Sequence, residues 1–490
     1  MTNVLNEKAL KDAGIEFYGE VADLELLQKE CPQARILVQY LLDFKHIISY
    51  ERWREIRELE RKQKQFHATT PGCIRIPDKR PPEKRSEMLK DYRKHYDIER
   101  CEENFNLASQ IKEKADGVES KEEKRWTEII EKHVFGRLIG EARAAESKVT
   151  KQTARGAINR YRAELDHNWT FGREVLQSYC NSNAPKLTAP KPDLFFSFHA
   201  YEHSETYGGP LSTDDYIQNF SLTRLSKIYE QYERLAEYNL DCEFGFIPSP
   251  CKEFHSLSAY KDLTCFPWAV CEWKHHGHVS TTYERYCYCQ AANAAAVCLT
   301  LFANAAAGGQ QTPILDEIRP VVCMPFVGPE TKVWVVYITM IRNGRYKYRM
   351  RCIWEGSLHN VVDNVKLCVI IENLHFWALN HLRPWLSSCI DQWRRSIRMM
   401  TKLEQQEKDI SDMRKSFRSR RAATLDDFLA SDSSDTSEED EGQSDAESRE
   451  ESGEESGEDE EGSEEDEDGS EEDDENSEWD TEAEDEETLY

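Results

Sequence analysis

The stretch FPWAVCEWK, residues 266–274, closes an apolar run with a carboxylate and an amine two positions apart. Side chains alternate faces along a β-strand. Phe266, Trp268, Val270, Glu272 and Lys274 are therefore expected on one face, and Ala269, Cys271 and Trp273 on the other. Glu272 and Lys274 would stand side by side where the strand leaves the core. Such a pair sets a metal-ligating oxygen beside an ammonium that can polarise a phosphate or orient a water. On a helix the same spacing would splay the two groups apart. Further acids and amides that could join them are Asp193, after Pro192 at the head of LFFSF, Glu123 in EKRWTEI, and Gln290 in YCQAANAAA.

Several elements must position these groups. LFFSF (194–198), FPWAVCEW (266–273), RPVVCMPF (319–326), TKVWVVYITMI (331–341) and YKYRMRCIW (346–354) have strand composition. The fourth is apolar on both faces, as in a central strand covered on both sides. Between the second and third lies an Ala-rich helix, 291–309, and before the second a helical segment, 222–240, within an insertion spanning about 200–262. Upstream, a helix over 120–144 is expected to bury Trp126, Ile129, Ile130, His133, Val134 and Leu138, with Glu123 at the margin of that face. Strands with an intervening helix imply a three-layer α/β domain. Residues 1–99 read as a helical accessory region, with Ile36, Leu37, Tyr40, Leu41, Phe44, Ile47 and Ile48 on one stripe that Trp53, Ile56 and Leu59 continue, followed by a basic linker, IPDKRPPEKR. Helix returns over 364–405 and ends in RKSFRSRR (414–421), an import signal, a phosphate-binding arm or a solvated helix end.

The order of these features resembles the PD-(D/E)xK nuclease superfamily, and more closely the fungal proteins that carry a PD-(D/E)xK nuclease-like domain. It runs from the E-x-x-W helix (Glu123 to Trp126) through the P-D strand, the FP-apolar-E-x-K strand and the Gln/Ala-rich helix to the V-W-V strand. The resemblance covers about residues 100–385. It implies a restriction-endonuclease-like core, a central mixed β-sheet flanked by helices. It also implies that Asp193 and Glu272 bind a divalent cation with the Trp273 carbonyl, that Lys274 is the catalytic lysine, and that Glu123 and Gln290 support the site. Hard oxygen ligands of this kind suit Mg²⁺ or Mn²⁺, and the implied substrate is nucleic acid, DNA in the first instance. Two features depart from compact nucleases of this pattern. Asp193 and Glu272 are 79 positions apart, and LDCEF (240–244) offers Asp241 and Glu243 as rival acids.

Other residues carry weaker signals. His275, His276 and His278 in KHHGH read as a polar turn after the strand. Lys347, Arg349 and Arg351 share one face of their strand, either as charges protecting a sheet edge or as a strip tracking phosphates. Trp334, Trp354, Trp377, Trp385 and Trp393 are expected in the core. The fifteen cysteines lack paired CxxC spacing, which points to reduced thiols in an intracellular protein.

Charge is distributed unevenly. The chain carries −29 overall, but residues 431–490 hold 33 acidic residues against one arginine, so this segment contributes −32 and the other 430 residues +3. The acidic stretch, within a tail over 426–490 that follows a basic helical segment at 386–425, cannot bury enough apolar area to order itself and is expected to be disordered. It could engage basic nuclear proteins, or fold back on a basic surface of its own chain. The first residues are polar and mixed, unlike a secretory leader, and the Ala-rich stretch reads as a buried helix, not a membrane span. These features favour an intracellular protein, in the nucleus over the cytoplasm.

Overall fold

A computed structural model describes residues 5–44, 58, 98–118, 123–147, 161–180, 183–200, 218–236, 246–251, 264–274, 280–308, 313–339 and 345–432. Residues 433–490 of the acidic tail, the basic linker, His275, His276 and His278, Asp241 and Glu243, and the residues from Ile47 to Leu59 named above lie outside them, whereas residues 426–432, expected in the disordered tail, are helical. The chain divides into two compact units, Met1–Arg414 and Lys415–Tyr490. Of the second, the described part is helical backbone to Asp432.

The first unit is α/β. Its elements are α1 (Glu7–Asp12), β1 (Ile15–Val21), α2 (Leu24–Glu30), α3 (Pro32–Leu41), α4 (Ile98–Asp116), α5 (Glu123–Ile129), α6 (Gly136–Ser147), β2 (Tyr161–Leu165), α7 (Thr170–Tyr179), β3 (Leu194–His199), α8 (Leu222–Ala236), β4 (Thr264–Lys274), α9 (Ser280–Ala307), β5 (Val321–Val327), β6 (Glu330–Thr339), β7 (Lys347–Ser357) and α10 (Val361–Trp377). A long helix, α11 (Arg383–Asp432), begins in this unit. Seven strands form one mixed sheet in the order β1-β7-β6-β5-β4-β3-β2. The pairs β1–β7 and β4–β5 are parallel and the other four antiparallel.

Helices cover both faces of the sheet. Cross-strand partners share a face, so Val270, Cys323 and Trp334 lie on one. There Tyr288 of α9 packs on Trp334, ring centroids 5.2 Å apart. Phe196 and Ala269 lie on the other face, as do Trp273 and Phe326. Phe135, between α5 and α6, packs there on both Phe196 and Phe326. Glu284–Ala307 is the one helical stretch among the described residues long and apolar enough to cross a membrane. Its most apolar window is 94% buried in the protein, where alanines let the helix approach β4 and β5 closely.

All five strands expected from composition are present, and Trp334, Trp354, Trp377 and Trp393 are buried while Trp385 is partly so. The N-terminal region is not helical throughout, as its composition had implied. Ile15–Val21 is a strand paired in parallel with β7, with Ile15 opposite Tyr348. Leu37, Tyr40, Leu41 and Phe44 do join the core, whereas Ile36 is 44% exposed. The IEFYGEV run alternates only loosely and holds a Gly, which hid it from a period-2 reading. The helix expected over 120–144 buries Trp126, Ile129, Ile130, Val134 and Leu138 but leaves His133 half-buried. A π-helical turn over Ile130–Val134 interrupts it, and an extra residue per turn shifts the face that follows.

The alternation assigned to β4 holds from Ala269 onward and fails at Trp268. Trp268 stacks on Phe196, centroids 5.2 Å apart and planes 25° apart, so its ring lies on the Phe135 face, opposite Glu272. The cause is a register shift in the β3–β4 pairing between Phe196 and Phe198. Phe266 there adopts φ +46° and donates its N–H to the Pro248 carbonyl at 2.8 Å. A left-handed Phe costs on the order of 1–3 kcal/mol, which the aromatic contacts of Phe266 with Phe220, Phe246 and Phe302 offset.

Candidate active site on strands β3 and β4

The antiparallel register of β3 and β4 solves the problem set by a separation of 79 positions. Phe195 sits opposite Val270 and Leu194 opposite Cys271. One step further along that register brings Asp193 alongside Glu272. The contact is direct: the Trp273 backbone N–H donates to Asp193 Oδ2 at 2.7 Å. Lys274 Nζ lies 3.7 Å from the same oxygen and donates to the Trp273 carbonyl at 2.9 Å. The intervening chain includes α8, whose Leu222, Leu225 and Ile228 join the core.

Electrostatics set these three groups apart. Burial pushes the Glu272 carboxyl well above the ordinary carboxylate range, and the neighbouring charge of Asp193 raises it further. Burial also raises Asp193, against the pull of Lys274 and the Trp273 N–H. Burial alone would lower Lys274, but Asp193, Glu272, Cys287 and Glu123 outweigh it and hold the amine up in its charged form. Both carboxyls are thus harder to ionise than an exposed acid, and they stand beside an ammonium. Glu272 is 1% exposed, and its Oε2 is buried without a hydrogen-bond partner.

The remaining predicted residues are placed less tightly. Glu123 opens α5 and reaches the site through its field on Lys274. Gln290 is half-buried on α9 with Oε1 buried and unpartnered. It lies three positions after Cys287, whose thiol is within 3.5 Å of the Glu272 carbonyl, and that spacing puts both on one helical face. Two acids were not foreseen. Asp166, in the left-handed conformation at φ +55°, donates its N–H to the Asp193 carbonyl at 3.3 Å. Glu131, in the π-helical turn, is raised by burial and by the charges of Asp166 and Asp193. The Asp-His-Asn turn that ends β2 was the available signal for Asp166; nothing in the sequence marked Glu131.

Lys347, Arg349 and Arg351 stand apart from this cluster, and β7 is not a sheet edge, because β1 covers it. Lys347 pairs with Glu16 at 2.7 Å. Arg349 and Arg351 both pair with Glu30, the latter at 2.8 Å, and the Arg351 guanidinium lies 3.7 Å over the Tyr18 ring. The strip is therefore a row of internal ion pairs joining the N-terminal elements to the sheet. Twelve cysteines, among them Cys271, Cys287 and Cys323, are free and buried.

The donor set suits a divalent cation in part. Asp193, Glu272 and the Trp273 carbonyl supply oxygens, and the unpartnered Glu272 Oε2 is an acceptor for one. Among the described residues no three of His, Cys, Asp and Glu converge as a metal cluster. A cation held by two carboxylates and completed by water and substrate oxygens fits Mg²⁺ better than Zn²⁺. No protein-family model matches the chain, and neither a curated protein nor a solved structure matches it.

Proposed function

We propose that the protein is a divalent-metal-dependent nuclease of restriction-endonuclease-like architecture, hydrolysing phosphodiester bonds in DNA. The observation that carries this reading is the meeting of Asp193, Glu272 and Lys274 at adjoining ends of β3 and β4. Three antiparallel strands, a helix, and a strand parallel to the third, β2-β3-β4-α9-β5, support the architecture.

In this reading Asp193 and Glu272 hold the cation with the Trp273 carbonyl. When bound, Mg²⁺ or Mn²⁺ supplies Lewis-acid stabilisation of a phosphodiester and lowers the pKa of a coordinated water. Lys274, kept protonated by the two acids, presents a fixed positive charge to a phosphate oxygen. The Trp273 N–H fixes the Asp193 carboxylate, so the acid is oriented before substrate arrives. Glu123 supports the charge on Lys274, and Gln290 positions a polar group on the adjoining helix face.

Titrating Mg²⁺ or Mn²⁺ into the full chain tests this reading calorimetrically. Binding by the parent, none by folded Glu272→Ala, and cation-dependent DNA cleavage lost in the same variant are the expected results. The two-carboxylate donor set favours one second reading, a nuclease-fold module that engages nucleic acid, or basic proteins through its acidic tail, without turnover. Cation binding with no cleavage of single- or double-stranded DNA or RNA would select it.

A further inference from the structure

Nine large apolar side chains are exposed among the described residues, and five of them lie on α11: Met399, Leu403, Ile410, Met413 and Phe417. The buried face of this helix, Leu386, Cys389, Ile390, Trp393 and Ile397, stops at Ile397. Directly beyond it the exposed residues follow at intervals of four, seven, three and four. At 100° per residue they fall within about 40° of one line along the helix. A face that narrow is a coiled-coil seam; a helix packed on a globular core carries a wider one.

Setting Leu403 and Ile410 at position a puts Met399, Gln406 and Met413 at d, Lys402 and Asp409 at g, and Glu407 and Arg414 at e. All of these are exposed; Met399, Leu403, Ile410 and Met413 are 65%, 52%, 46% and 55% so. In a parallel pair of such helices each g residue meets the following e residue of the other strand. Lys402 then meets Glu407 of the second copy, and Asp409 meets its Arg414, so all four flanking pairs are of opposite charge. Gln406 fixes the direction. Parallel and in register, the two Gln406 amides face each other and can hydrogen-bond; antiparallel, each would be set against Ile410 with its amide unpaired.

We propose that α11 pairs over Met399–Arg414 with the same segment of a second copy of this chain, as a parallel, in-register, two-stranded coiled coil. The interface carries its own sequence code, independent of the acidic site on β3 and β4.

Sedimentation equilibrium of the full chain over a micromolar concentration series tests the proposal. A reversible monomer–dimer equilibrium is expected, and a strictly monomeric parent overturns it. Leu403→Asp with Ile410→Asp should abolish the dimer and leave thermal unfolding of the sheet domain in place, since both side chains are exposed in the monomer. Charge reversal decides direction. Lys402→Glu with Asp409→Arg makes every flanking pair of a parallel homodimer repulsive and should weaken it on the order of 10- to 100-fold. Glu407→Lys with Arg414→Glu should do the same. Mixed, the two variants restore all four attractive pairs and should dimerise as the parent does. An antiparallel pair would set Lys402 against Asp409 and keep its attractions in each variant alone. Undiminished self-association of either variant therefore refutes the parallel arrangement.

Discussion

Replacing Glu272 by glutamine should stabilise the metal-free protein at neutral pH, which is unusual for a change at a proposed catalytic position. Glu272 is buried, one of its oxygens has no partner, and Asp193 lies beside it. Its folded-state pKa is raised above the unfolded value of about 4.5. A group raised in this way contributes its stability below the unfolded pKa and loses it as pH rises through the folded one. Each unit of separation costs about 1.4 kcal/mol once pH exceeds both values. Glutamine keeps the shape, removes the ionisation and places an amide donor toward the Asp193 carboxylate. The expected gain near neutral pH is on the order of 1–3 kcal/mol, the cost of a buried unsatisfied polar group. Thermal unfolding of parent and Glu272→Gln at about pH 7 and about pH 5, with and without Mg²⁺, is the assay. The variant should lead at the higher pH without metal, and the lead should shrink toward about pH 5, close to the unfolded value, where little of the interval between the unfolded and folded pKa has been crossed. Mg²⁺ should raise the midpoint of the parent alone, since binding only the native state stabilises it by mass action. A variant less stable than the parent at about pH 7 without metal would mean that Glu272 is satisfied in the core, and the argument for a poised acid pair would fall.

Two other sites give sharp expectations. Glu30 accepts from Arg351 at 2.8 Å and also from Arg349 and Tyr337, and although burial opposes it, these partners hold its carboxyl below the ordinary range. Glu30→Gln should cost about 1–3 kcal/mol in denaturant unfolding. Because a lowered carboxylate gives stability that vanishes as pH falls below about 4.5, parent and variant should converge in acid; a gap that persists there would contradict the ion-pair reading. At Gly172 on α7 an added Cβ would lie 2.6 Å from Val297 Cγ1 and 3.0 Å from Pro250 Cβ. Gly172→Ala should therefore lower stability by about 1–3 kcal/mol despite alanine's better helix propensity, and an unchanged or higher unfolding midpoint would show that α7 can move off α9.

The sequence marked Glu272 and Lys274 because two charges ending an apolar run are rare and the period-2 rule places them together. Asp193 was legible as a candidate, but its meeting with Glu272 depends on β3–β4 register across a long insertion, which no local pattern encodes. Trp268 went to the wrong face because alternation presumes a regular strand, and the left-handed Phe266 breaks it. The charges of Lys347, Arg349 and Arg351 were visible, whereas Glu16 and Glu30, more than 300 positions earlier, were not legible as their partners. Strand β1 was missed for a related reason: a strand that completes a sheet in parallel relies on its neighbour and shows little amphipathic pattern of its own.

That strand also constrains how the chain can fold. Ile15 waits for Tyr348, so the first strand made can pair only after the last strand of the sheet has been synthesised. At translation rates of about 5–20 residues per second, the intervening 333 positions take roughly 20–70 s. During that interval Ile15 and Phe17, together with the acids Glu16 and Glu30 that neutralise Lys347, Arg349 and Arg351, belong to a segment without its template. Closure of the sheet is thus a late step with a large loop to close, and domains built on such distant pairings fold slowly. The same seam is the place where a nascent chain is most exposed to capture by chaperones, or to mispairing with another unfinished copy.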